Sequence, residues 1–182
     1  MIRKFVADLS RVERLVPFHV SRRISERDVI HFFVDDTRLR PLMREPMLYK
    51  RSFVKAFGVI TPDFSMYLDD EIENWRKAHE WNIRYGEAWQ ALGVRVIPSV
   101  NWATEKSFEF CFDGIEPGGV VAISTQGIDD WGVFEAGFER MKKKLNPSGI
   151  ICYGTLVCLR ASCDVYYFPT FADEMRERIN GR

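Results

Sequence analysis

The stretch GVITPDFSMYLDD, residues 58 to 70, opens as a buried strand and closes on acids. Four residues with strand propensity, Gly58 to Thr61, run into Pro62, which fixes its own φ and withdraws a backbone donor. Immediately afterwards, DDEIENWRKAHEWNIRYGEAWQALG, residues 69 to 93, has helical spacing. Ile72, Trp75, His79, Ile83 and Gly86 recur at three and four, and Trp81, Tyr85, Ala88 and Leu92 widen that face. Asp69 or Asp70 is placed to cap this helix and Gly93 to stop it. A short apolar run, a polar turn and an amphipathic helix make one β–turn–α unit.

The same unit recurs on both sides. VIHFFVDD (29–36), VRVIPSVNW (94–102), GGVVAISTQG (118–127), GIICYGTLVCL (149–159) and DVYYFPT (164–170) read as further strands. Residues 130 to 146 read as a second strong helix. Phe134, Phe138, Met141 and Leu145 form its apolar stripe, Lys142 to Lys144 sit at its negative end, and Pro147 follows. FADEMRERI is read as a terminal helix, and residues 37 to 57 as partly helical. Nearly continuous apolar runs alternating with amphipathic helices predict an α/β fold with a mostly parallel sheet flanked by helices. Two architectures fit: an open twisted sheet or an incomplete, TIM-like barrel. A complete barrel usually needs about 250 residues, and this chain has 182. Without repeat, linker or low-complexity tract, residues 1–182 read as a single domain.

Composition narrows the function classes. The chain is 46% hydrophobic and 14% aromatic, which suits a packed core. Its 26 Lys and Arg balance 26 Asp and Glu, so the whole-chain basic excess of many nucleic-acid binders is absent. No apolar run is long enough to span a membrane, and the charged N-terminus does not resemble a signal peptide. A cytoplasmic protein is expected. Cys111, Cys152, Cys158 and Cys163 lack zinc-knuckle spacing and read as reduced thiols, with Cys158 and Cys163 flanking a plausible hairpin connection. His31 and His79 fall on apolar faces and read as packed histidines.

In either architecture, ligands bind beyond the carboxyl ends of parallel strands. Those ends are Asp35-Asp36, Thr61 to Ser65, Ser99 to Trp102, Ser124 to Gly127 and Tyr153-Gly154. They are polar or small, whereas the opposite ends read as ordinary turns. Helix capping also favours such residues, and Asp35 and Asp36 suit a cap before Thr37. Asp63 is set apart, because Asp70 is available to cap the helix. The site expectation is a shared pocket with Asp63 and Asp35 as catalytic carboxylates. Asp36, Ser65, Asn101, Trp102, Ser124, Gln126 and Gly127 are expected to bind ligand. Trp102 offers a stacking face, and Ser124 to Gly127 resembles an anion-binding loop without the GxGxxG or GxxxxGK spacing. No metal-ligand spacing is present, and the sequence identifies no cofactor or oligomeric state.

Several of these blocks resemble one family. IHFFVDD, GVITPDFSMY, AWQALGVRVIPSVNW, SFEFCFDGI, VVAISTQG and GFERMKKKLNPSGIICYG, with PFH near residue 17, are similar to the domain of unknown function 4417 family over roughly residues 15 to 155. The resemblance implies a protein of bacteria, their phages and mobile elements, and assigns no catalytic residue or cofactor. More loosely, PDFSMYLDDE and STQG are similar to acid-bearing and Gln-Gly segments of tRNA-guanine transglycosylase barrels, although this chain is much shorter and lacks the zinc cysteines. Two function classes follow as expectations. One is an enzyme or ligand binder acting on a nucleotide or nucleic acid. The other is an interaction protein that binds a host or phage protein.

Overall fold

The structure, a computed structural model, describes residues 1–19, 23–45, 49–155 and 159–180. Seven strands are present among them: β1 (Arg14–Pro17), β2 (Asp28–His31), β3 (Gly58–Ile60), β4 (Val96–Ile97), β5 (Val120–Ser124), β6 (Gly149–Tyr153) and β7 (Val165–Phe168). The helices are α1 (Arg40–Arg44), α2 (Lys50–Lys55), α3 (Ile72–Ala91), α4 (Trp131–Leu145) and α5 (Phe171–Asn180). The strands form two all-parallel sheets, β1-β2-β3-β4 and β5-β6-β7. A bridge between Ser99 and Ala122 joins them, with Val100 N donating to Ala122 O at 2.8 Å and Ala122 N to Pro98 O at 2.9 Å. The strands therefore lie side by side in chain order.

Alternation along each strand sorts the side chains onto two faces. On one face, Ile30, Val59 and Val96 pack against Tyr85 and Trp89 of α3, while Ile123, Ile150 and Cys152 pack against Phe134, Phe138 and Met141 of α4. On the other, Leu15, Val29, Ile60, Ile97, Ala122 and Ile151 form one cluster with Leu9, and Tyr166 and Phe168 of β7 pack on it. Among the described residues, the cluster on that second face includes no α-helical residue. It packs on itself and on the N-terminal segment, and His31 of β2 meets Tyr153 of β6 at 4.5 Å between ring centres, so the sheet curls toward this face. A doubly wound sheet would have helices on both faces.

The helices obey the sequence pattern with two differences. Trp89 is completely buried, whereas Trp81 and Leu92, expected on the apolar face, are exposed. The cap also moves. Glu71 in extended backbone precedes α3 without a side-chain cap, and Asp70 instead accepts from Asn74 Nδ2 at 3.2 Å. At α4 the cap is formed as its sequence suggests, by Asp130 accepting from Gly132 N and Val133 N.

β1 lies in a charge-rich segment and was not expected. It is fixed by a buried carboxylate: Asp28 accepts Arg14 Nε at 2.8 Å and Nη2 at 2.9 Å, together with Ser25 N and Oγ. Cys111 and Cys152 are buried free thiols, pushed up to about 12 by burial. The hairpin expected between Cys158 and Cys163, and the end of the fifth expected strand, involve residues 156 to 158, which lie outside the described residues.

Candidate functional site

The carboxyl ends of β3, β4 and β5 open onto one cleft of about 610 Å³, a volume typical of small-molecule sites. Asp63, Ser65, Asn101, Trp102, Ser124, Gln126 and Gly127 all line it. Each arrives there by a local device. Pro62 ends the strand and sends Asp63 across to β4, where Ser99 Oγ donates to Asp63 Oδ1 at 2.6 Å. Ser99 N in turn donates to Thr61 Oγ1 at 2.8 Å, so the two strand ends are tied twice. Asn101 Nδ2 donates to Phe64 O at 2.9 Å, and Phe64 N donates to the buried Asn82 of α3 at 3.3 Å. The Pro62–Ser65 segment is thus held from both sides, although it has no regular structure.

Asp63 stands out electrostatically. It is partly accessible at the cleft, but protein surrounds its carboxyl. Burial pushes its pKa up to about 6, against the lowering effect of the Ser99 hydroxyl, and the neighbouring Asp36 charge adds to the rise. Asp36 itself does not line the cleft. It accepts from Ser65 N at 3.3 Å and Ser65 Oγ at 3.2 Å, and burial is the largest cause of its raised pKa. It positions the PDFS loop from behind.

Asp35 takes the capping place its sequence position suits, not the expected place in the shared pocket. It is exposed, lies outside the cleft lining and caps the turn at Asp36–Leu39, accepting from Thr37 N at 2.8 Å. Its hydrogen bonds to Thr37 hold its pKa below the usual carboxylate value. A cap two residues away outcompetes a distant pocket, because the loop is already closed. Ser124 is similarly engaged nearby, its Oγ accepting from Gln126 N at 3.1 Å. That amide, which an anion-binding loop would present, points to its own turn.

Trp102 has a double role. Its ring lines the cleft and also rests on the backbone of α4, where a Cβ added at Gly137 would sit 2.3 Å from Nε1. Phe134, also in the lining, lies 5.3 Å from it centre to centre. Tyr67, Leu68 and Asp129 join the lining unexpectedly, and Ser99, at an expected strand end, serves Asp63 from outside the lining. The Ser99 signal was present in the register: Ile60 pairs with Ile97, which brings Pro62 level with Ser99.

Comparison with known proteins follows the same blocks. The domain of unknown function family DUF4417 matches residues 3–168. The chain belongs to the DUF4417 family. It is 35% identical over 181 residues to the Gene 1 protein of Mycobacterium phage D29, an alignment covering 91% of this chain and 63% of that protein. It is 33% identical over 179 residues to the Gene 1 protein of Mycobacterium phage L5, covering 90% and 74%. The chain thus spans less than two thirds of the D29 protein's length. No solved structure matches it.

Proposed function

We propose that this DUF4417 protein binds a small ligand in the cleft at the carboxyl ends of β3, β4 and β5, with Asp63 as its working carboxyl. The observation that carries this reading is convergence: six polar or aromatic residues and Gly127, from three separate strand ends, line one concavity. A carboxyl with a pKa near 6 suits general acid or base work, or recognition of a ligand donor. Of the ligands expected from the sequence, those carrying phosphate find no Lys, Arg or His among the described lining residues. The reading therefore favours a group without phosphate that lies against Trp102.

A second reading, docking of a host or phage polypeptide, draws on the rim. Tyr67 and Leu68 line the cleft while more than half exposed, and Trp131 is exposed beside Phe134. A thermal-shift panel of amines, nucleosides, nucleotides and divalent metals on the full chain tests the first reading. A ligand at a hundred times its Kd stabilises by about 2.7 kcal/mol. The panel is repeated on Gln126→Trp, which plugs the exposed mouth without touching the core. Ligand-induced stabilisation that disappears in the plugged variant is expected. Stabilisation that persists unchanged there would place binding elsewhere and defeat the reading.

A further inference from the structure

Several donors at this cleft are engaged internally, while some acceptors are left free. Ser65 Oγ donates to Asp36, Asn101 Nδ2 donates to Phe64 O, and Ser99 Oγ donates to Asp63. Among the described residues, Asp63 Oδ2 and Asn101 Oδ1 receive no hydrogen bond from the protein. Asp69 and Asp129 stand exposed in the lining, while Asp130 is committed to capping α4. The lining thus carries two uncommitted carboxylates, the second oxygen of Asp63 and an amide oxygen, and its described side chains include no cation. Trp102 supplies an aromatic wall.

We infer that the cleft takes a small organic cation, a guanidinium or primary ammonium on a short chain, seated against Trp102 and held by Asp63 and the rim carboxylates. This deepens the ligand reading above and rests on it. An ammonium or guanidinium is donor-only and cationic, the complement of a lining that carries four carboxyl groups and, among the described residues, no cationic side chain. Its positive charge is attracted by the carboxylates and by the indole face. A phosphate would meet the opposite field. The cavity, not the acids alone, makes this a site: the same carboxylates on a convex surface would be solvated and indifferent to the shape of a ligand.

The test is calorimetric titration of the full chain at low salt with agmatine, adenosine and AMP, and with an arginine-bearing peptide beside its citrulline counterpart. Saturable agmatine binding is expected, with no binding of AMP. In the double variant Asp69→Lys, Asp129→Lys, agmatine affinity is expected to fall at least about tenfold, as reversing two rim charges implies. Neither residue makes a structural hydrogen bond among the described residues, so the unfolding midpoint is expected to hold. Adenosine binding without agmatine binding overturns the cation assignment and leaves the pocket reading standing. Binding of the arginine peptide but not agmatine overturns the small-molecule assignment in favour of polypeptide docking. Agmatine binding unaffected by the double variant overturns the location. Failure of every probe overturns both the inference and the reading beneath it.

Discussion

Ser99 Oγ donates to Asp63 Oδ1 across 2.6 Å and is that carboxyl's hydrogen-bond partner in the fold. One hydroxyl does not compensate for the water removed, so burial wins and the pKa rises from 3.8 to about 6. The folded chain then holds a proton in that window that the unfolded chain has released. Stability attributable to Asp63 therefore falls as pH rises from 3.8 to about 6. The full effect at neutral pH is at most roughly 3 kcal/mol. Asp36, also raised by burial, acts in the same direction.

Asp63→Asn keeps the oxygen that accepts from Ser99 and removes the charge. The variant is expected to unfold at higher denaturant than the wild type at pH 7, by up to roughly 3 kcal/mol. The gain should vanish below the unfolded-state carboxyl pKa. Equilibrium unfolding at both pH values decides it: a variant less stable at pH 7, or a difference independent of pH, contradicts the burial of this carboxyl.

His31 produces the opposite slope. Its ring is buried between Phe33 and Tyr153, and Phe33 N donates to Nδ1 at 3.2 Å. Among the described residues, Nε2 is buried without a hydrogen-bond partner. Burial is the main cause that lowers its pKa from 6.5 to about 3. Below 6.5 the unfolded chain takes up a proton that the folded chain refuses, so this contribution to stability is lost as pH falls. The His31 and Asp63 terms oppose one another where their windows overlap, and the wild-type profile there should be flat compared with that of Asp63→Asn. The direct measurement is an NMR titration of the His31 ring, expected to stay neutral from about pH 8 to about pH 5. A midpoint near the ordinary histidine value would refute it.

Arg14 and Asp28 are an asymmetric pair. Asp28 is fully buried while Arg14 reaches solvent. Among the described residues, Arg14→Ala leaves the carboxylate with Ser25 alone as side-chain partner, and removing one member of a buried pair typically costs about 3 to 5 kcal/mol. Because Arg14 is partly exposed, a loss of roughly 2 to 4 kcal/mol is expected by urea unfolding. A loss below about 1 kcal/mol would reduce the pair to an ordinary surface contact.

These elements also mark what the sequence could convey. The stripe Phe134, Phe138, Met141 and Leu145 is buried as its spacing requires, since one helix face must meet the sheet whatever the wider topology. The polar strand ends were legible because chain order and strand direction place them on one edge. Asp35 takes the cap before Thr37 that its position allows, and Asp70 bonds Asn74 instead of capping α3: local partners decide the geometry, and several local solutions compete at any acid near a helix start. β1 is hard to read because Pro17 interrupts the run that starts at Leu15, and charged residues precede it. The curl of the sheet is a long-range property. Its traces are Gly58 and Gly149, where a Cβ would meet the inner-face side chains of Ile97 at 2.8 Å and Leu9 at 2.9 Å.

The cleft wall itself depends on one missing methyl group. Trp102 approaches α4 at Gly137 so closely that an added Cβ would stand 2.3, 2.4 and 2.7 Å from three atoms of the indole. An aromatic ring cannot yield as the end of a flexible chain can, and Phe134 and Phe112 flank it. Gly137→Ala gains helix propensity of about 1 kcal/mol, but overpacking of this kind typically costs about 1 to 3 kcal/mol. The net expectation is a modest loss of stability together with displacement of Trp102 toward the cleft. Measured by tryptophan fluorescence and a crystal structure of the variant, the indole should shift and the cleft should narrow. Ligand affinity should then fall by more than stability does. A variant as stable as the wild type with an unmoved Trp102 would show that α4 can retreat, and that the indole is not fixed by this contact.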